Sequence, residues 1–331
     1  MTQPRLDVLC IGNAIVDVIA DTDDAFLAAE GLTKGMMRLI DAEEAVRLYD
    51  HMGPAREVSG GSAGNTAAGI AALGGRAGFV GQVAPDQLGE FYAHDLRATG
   101  VEFTTPAADL GVPTARSMIL VTPDAHRTMN TFLGAAQLLA VEALDEKQIE
   151  ESAILYLEGY LWDPETPRYA MVKAIDIARR AGRKVAFTLS DTFCIDRHRD
   201  GFNQLIDDGK IDILFANEAE LKMLAGEEDF ESAVAATQNR VETLVVTRSE
   251  QGATVVRNGT RVDVPAEPVD KVVDTTGAGD LFAAGFLVGY AQGATLERSL
   301  RLGAIAAAEV ISHYGARPEA DLKALVARRL G

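Results

Sequence analysis

Short apolar runs recur through the second half of the chain at intervals that leave room for one helix each. Ala153–Leu157, Lys184–Leu189, Ile211–Phe215 and Val241–Thr247 read as strands. Pro167 to Ala181 has the apolar spacing of an amphipathic helix and is closed by Gly182. Strands separated by helices pair in parallel, and the crossovers cover both faces of the sheet. Asp7–Ile11 and Gly78–Val83 add strands nearer the N-terminus. The predicted class is therefore α/β. Ligands in such sheets bind outside the carboxyl ends of the strands. Gly12, Gly159, Ser190, Asn217 and Thr247 each follow or end a predicted strand. With 331 residues, no low-complexity tract, no tandem repeat and no long linker, residues 1–331 read as one large domain with room for a smaller insert.

The stretch Asp274-Thr-Thr-Gly-Ala-Gly-Asp280 runs into the apolar, Gly- and Ala-spaced segment Leu281–Leu287. Val269–Val273 before it reads as a short extended segment. Gly277, Ala278 and Gly279 then form the turn that opens a buried helix. Its first N–H groups lack intrahelical partners, and the helix dipole adds positive charge there, which makes an anion site. Asp280 in the first turn has a plain reading as dipole complementarity. Beside an anion hole it has a sharper one, a general base that takes a proton from an attacking alcohol.

Other positions have paired readings. Asp17 stands among apolar neighbours after Gly12-Asn13 and must be hydrogen-bonded if buried; otherwise it is an edge-strand surface acid. Gly60-Gly61-Ser-Ala-Gly-Asn65 is a Gly-rich loop feeding a small-residue helix that begins at Thr66, either a tight turn or a ligand contact. Thr114–Val121 and Arg127–Phe132 read as a hairpin around residues 123–126, with Arg127 a solvated charge or a phosphate contact. Asn217 with Glu220 has the spacing of a helix cap.

Lys and Arg total 31 against 49 Asp and Glu, a net charge of −18. That argues against sequence-independent nucleic-acid binding and against an anionic membrane surface. Cys10 and Cys194 form no disulfide framework and read as small buried hydrophobes. The segment Met1–Arg5 and the short run Leu6–Ile11 resemble neither a signal sequence nor a span, so a cytoplasmic location is expected.

The motifs taken together resemble the ribokinase (PfkB) family of carbohydrate and nucleoside kinases, over Asp7 to about Pro318. Within that family the likeness is closest to adenosine kinases. It rests on Gly12-Asn13…Asp17, the Arg127 hairpin, Leu189-Ser190…Phe193 and Asp212–Glu218, alongside the 60–65 and 274–280 stretches. The resemblance implies a three-layer α/β/α, Rossmann-like domain with a small β-rich lid from about 14–57 and 108–132. It implies ATP-dependent phosphorylation of a nucleoside 5′-hydroxyl, with Asp280 as base and Gly277, Ala278, Gly279 and Arg127 around the transferred phosphate. Asn13, Asp17, Gly60, Gly61, Asn65 and Tyr160 fall at substrate positions. Asn217, Glu220, Thr247, Gly252, Gly277 and Gly279 fall at nucleotide positions, with Asn217 and Glu220 organising Mg²⁺ through water. Residues 265–273 and the helix Leu300–Ile311 would border the adenine. Asp274 and Thr276 fall near a potassium site of some relatives. The chain departs from the family at Ala14 (usually Pro), Ala84 and Ser249 (usually Gly), and Tyr160-Leu-Trp162, where adenosine kinases carry Phe-Phe. A free sugar is the alternative acceptor, and a catalytically silent nucleoside-binding protein a third reading. A monomer or a homodimer is expected.

Overall fold

Leu6–Ile11 (β1) is apolar at nearly every position because both of its faces are buried. In the computed structural model, which describes residues 4–124 and 126–331, Leu9 and Ile11 pack on one side of the sheet, and Val8 and Cys10 on the other. The same alternation recurs along the chain. The remaining strands are β2 (Ile15–Asp21), β3 (Met37–Leu39), β4 (Ala55–Gly60), β5 (Ala77–Val80), β6 (Glu102–Phe103), β7 (Ala115–Val121) and β8 (Arg127–Phe132). They continue as β9 (Ser152–Glu158), β10 (Lys184–Thr188), β11 (Ile213–Asn217), β12 (Thr243–Thr247), β13 (Ala253–Arg257) and β14 (Thr260–Val264).

Nine strands form one sheet in the order β14-β13-β12-β11-β10-β9-β1-β5-β6. From β12 to β6 all neighbours are parallel. Helices cover both faces, which gives the three-layer α/β/α fold expected from the strand–helix alternation. The helix Ala278–Ala291 is buried from Leu281 through Gly289 and packs against the helices Ser62–Ala72 and Leu296–Val310. A Cβ at Gly285 would lie 2.4 Å from the Leu302 carbonyl oxygen, so the small residues of this run are needed for close helix approach.

Five strands form a second sheet, β3-β8-β7-β2-β4. Helices Asp24–Ala29 and Ala42–His51 cover one face, through Leu27, Leu48, Met118 and Leu120. Each begins at an aspartate cap, Asp23 and Asp41. The opposite face carries Ile15, Asp17, Ser117, Ile119, Met129 and Thr131 and looks into a cavity. The period of two along a strand makes this division.

Two expectations change, and one hairpin is added. The helix after Gly61 begins at Ser62, not Thr66; Gly61 is its cap at φ 84°, so most of the glycine-rich stretch is already helical. Val269–Val273 is irregular, because Val273 N–H donates to the Ile311 carbonyl at the end of a helix, not to a strand. The β13–β14 hairpin was not anticipated, although Asn258-Gly259, both at positive φ, is a recognised two-residue turn signal. Part of the turn predicted at 123–126 lies outside the described residues at Ala125. Cys10 and Cys194 are buried and unpaired. Among the described residues no helix is long and apolar enough to cross a membrane.

Candidate active site

The carboxyl ends of β9 to β12 and the inner face of the second sheet enclose one cavity of about 1340 Å³. A single small ligand commonly occupies roughly 300–1,000 Å³, so there is room for two molecules. Asn13, Asp17, Gly61, Asn65, Tyr160, Asn217, Glu220, Thr247, Gly252 and the run 275–280 all line it. Arg127, Gly60 and Asp274 do not.

Asp280 lies at the junction of the two halves. Ser62 Oγ donates to its Oδ1 at 2.7 Å, and Asn65 Nδ2 donates to its Oδ2 at 2.9 Å. Burial raises its carboxyl to about 6, against the pull of Ser62, Asn65 and Arg317. Asn65 Oδ1 is buried with no hydrogen-bond partner among the described residues. A buried orphan acceptor beside a cavity is a place for a ligand hydroxyl.

Asp17 enters from β2 and is likewise raised to about 6, by burial and by Asp280, with Arg127 and Arg317 opposing. A Cβ at Gly60 would sit 2.4 Å from Asp17 Oδ2, so glycine there makes space for the carboxylate. A Cβ at Gly61 would meet the Asn13 carbonyl oxygen at 2.1 Å.

Glu158 was missed by the sequence reading. It ends β9, is fully buried, and accepts from Asn13 N–H, Asn13 Nδ2 and Ala63 N–H, each at 2.7 Å. Burial raises it to about 7 despite these bonds. A lone acid closing an apolar strand was the available signal. Glu158→Ala strands three buried donors, so a loss of about 3–5 kcal/mol of stability is expected. Urea unfolding would measure it, and an unchanged midpoint would show that water replaces the carboxylate.

At the helix N-terminus, Gly277 is at φ 78°, and a Cβ there would lie 2.7 Å from Ala316 Cβ. A Cβ at Gly279 would meet nothing within 4 Å. The glycine at 277 is required by the fold, whereas the bare surface at 279 borders open cavity beside helix N–H groups. This arrangement fits phosphate oxygens.

Asn217 and Glu220 realise the capping box. Asn217 Oδ1 accepts from Glu220 N–H at 2.9 Å, and Glu220 Oε2 accepts from Asn217 N–H at 2.9 Å. Glu220 is raised to about 7 by burial. Both also line the cavity, so the cap does not take them out of reach of a ligand. With Glu220 tied to Asn217, the pair fits an ion held through water. The described residues hold no cluster of three or more metal-binding side chains.

Asp274 does not fit a potassium ion. Its Oδ1 accepts from Thr276 N–H and Oγ1 at 3.0 and 2.7 Å, and its Oδ2 from Gly315 N–H at 2.9 Å and from Arg127. Burial alone would raise this carboxyl, but Gly315, Thr276 and Arg127 outweigh it and hold it below the ordinary carboxylate range. Arg127 thus supplies a positive charge where a cation was expected, and its guanidinium is engaged with Asp274 outside the cavity lining.

At the end of the cavity beside β12 and β13, Ser249 takes φ 50°, the left-handed geometry that favours glycine. Gly252 is demanded by the backbone, since a Cβ would lie 2.0 Å from the Val264 carbonyl oxygen. Ala266 to Val269, Ala304, Ala307 and Ile311 line this end. At the other end stand Tyr160, whose hydroxyl reaches the Ser190 carbonyl at 3.4 Å, and Phe193.

A model of the pfkB family of carbohydrate kinases matches residues 5–322. The solved adenosine kinase from Sinorhizobium meliloti is 51% identical with a TM-score of 0.91, covering 99% of this chain and 100% of that one. The structure of a "probable sugar kinase protein" from Rhizobium etli CFN 42 is 48% identical with a TM-score of 0.91, covering 98% and 99%. Adenosine kinase of Saccharomyces cerevisiae is 28% identical over 338 residues, 95% of this chain and 96% of the yeast protein.

Proposed function

This chain belongs to the pfkB family of carbohydrate kinases, and from that membership and the chemistry of the cleft we propose that it moves the terminal phosphoryl group of ATP to the 5′-hydroxyl of a nucleoside, adenosine above all. The observation that carries the choice of acceptor is the split character of its compartment. Asp17, Asn13 and Asn65 supply a polar corner. Met37, Ile119, Met129 and Leu133 supply an apolar wall, and the rings of Tyr160 and Phe193 line the same cavity. A ribose satisfies the corner and a base satisfies the wall; a free sugar would leave apolar surface facing its hydroxyls. The second sheet carries much of that wall, and in this reading it and its two helices form the lid that excludes water from the reaction.

Asp17 and Asn65 hold the ribose hydroxyls. Asp280 takes the proton of the 5′-hydroxyl as its oxygen attacks the terminal phosphorus and ADP departs. The N–H groups at Gly279 and the helix dipole stabilise charge on the moving group. Asn217 and Glu220 are the residues that would hold magnesium through water, where the ion would supply charge neutralisation for the nucleotide phosphates.

The test is ADP release with Mg–ATP and adenosine, inosine, guanosine, cytidine, ribose or fructose. Adenosine is expected to turn over fastest. Turnover with a free sugar alone would overturn the acceptor while leaving Asp280 chemistry intact. Binding of nucleosides without ADP release from any acceptor would favour a silent binding protein.

Potassium independence is also expected, because Arg127 already neutralises Asp274. Exchanging K⁺ for Na⁺ at constant ionic strength should leave turnover unchanged. Strong activation by K⁺ would mean that the guanidinium gives way to the ion.

A further inference from the structure

Arg317 lies in the loop after the helix Leu296–Val310 and does not line the cavity. Its guanidinium makes no ion pair among the described residues. Nε and Nη2 donate to the Ser59 carbonyl at 3.0 and 2.6 Å, Nη2 to Ser59 Oγ at 3.0 Å, and Nη1 to the Gly64 carbonyl at 2.8 Å. All these acceptors are neutral. A half-buried charge without a counter-ion still costs desolvation, and neutral donors would fasten two carbonyls at lower cost.

The clamped residues explain the expense. Ser59 pairs with Val16 and precedes Gly60, whose missing side chain makes room for Asp17. Gly64 lies in the helical turn that also carries Ser62 and Asn65, the two donors to Asp280. Several charged or titratable groups face this region. Tyr92 and Asp95 come from the helix Gln87–Ala98, Asp17 from β2 and Asp280 from its own helix. Arg127 on β8 faces Asp17. Tyr156 and Glu158 on β9, with Tyr160 after it, face Asp280. Asp95 Oδ2 also accepts from Ser59 N–H at 2.9 Å.

We propose that Arg317 is a positioning residue for phosphoryl transfer, its clamp on Ser59 and Gly64 aiming Asp17 and Asp280 and setting an unpaired positive charge on their side of the fold. This rests on the reading of Asp280 as base. Burial pushes both carboxyls up, and Arg317 is among the charges opposing that rise.

The experiment is the pH profile of kcat/KM for Arg317→Met beside the unsubstituted enzyme. Loss of this positive charge should move the acid limb up by about one pH unit, with much of the activity returning at alkaline pH. A limb that stays in place while activity falls at every pH overturns the proposal and leaves a structural clamp. If Arg317→Met does not fold, the double variant Arg317→Gln/Asp95→Asn is compared with Asp95→Asn alone; a raised limb supports the proposal and an unmoved one overturns it. Failure of both to fold assigns Arg317 to stability and overturns it too. Asp280→Asn separates the two readings, because retained turnover there sinks the base assignment itself.

Discussion

Asp280→Asn is expected to lower kcat by roughly 10²–10⁴-fold, the usual contribution of a positioned general base, while the protein still binds its acceptor. The fold should tolerate the change. Asn Oδ1 can accept from Ser62, and Asn65 can turn its amide so that its unpartnered Oδ1 meets the new NH₂. Stability moves in a definite direction. The Asp280 carboxyl is raised to about 6 in the fold by burial, so the folded state binds its proton more tightly than the unfolded chain. Stability from this group is therefore gained as pH falls through about 6 and lost as pH rises through it. At pH 7 the charged form is a burden that Asn removes, so the variant should melt no lower than the unsubstituted protein. Activity has the opposite dependence, because the base must be ionised. Asp17 also titrates near 6, so kcat/KM should fall below that pH more steeply than one proton allows. Near-normal turnover in Asp280→Asn would remove the residue from this role, and an acid limb near the ordinary carboxylate value would contradict the burial argument.

Gly279→Ala separates ligand contact from folding. No atom beyond its own helical turn lies within 4 Å of the Cβ it adds, and alanine costs less backbone entropy than glycine, so stability should hold or rise by about 0.4–1 kcal/mol. The methyl group would intrude where phosphate oxygens approach the helix N–H groups. Loss of one such donor costs about 10²–10³-fold in kcat, and a loss of that order is expected. Gly277→Ala is the control, since its positive φ and the Ala316 contact make it lose both stability and activity. Full activity in Gly279→Ala, measured with a melting curve on the same sample, would move the anion site elsewhere.

The readings that succeeded locally and those that needed the fold differ in kind. Asp17 was legible as an acid among apolar neighbours, and Glu158 carries the same signal at the end of Ile154–Leu157 but was passed over. The Asn258-Gly259 turn was equally legible and equally unused. Asn217 and Glu220 satisfied the capping pattern by themselves, and nothing local could say that the cap also faces a cavity. Arg127 shares a strand face with Met129 and Thr131 by the period of two, yet its engagement with Asp274 joins positions 147 apart in the chain. Arg317 carries no local signal at all, and Ser62 none beyond its place in the glycine-rich stretch.

The amino-acid sequence by itself determined the parallel α/β sheet, the strand ends where ligands gather, and the glycine turn that opens the helix Ala278–Ala291. Those features follow from short periods and from backbone freedom at single residues, which neighbouring positions encode. The tertiary structure alone decided what the carboxylates touch. Placing β1 between β5 and β9 brings Glu158 to Asn13 and Ala63, and packing the two small-residue helices brings Asp280 to Ser62 and Asn65 across more than 200 residues. These contacts depend on sheet order and helix packing, which no local window contains. The desolvation that sets the chemistry of Asp17 and Asp280 arises only when those layers close around them.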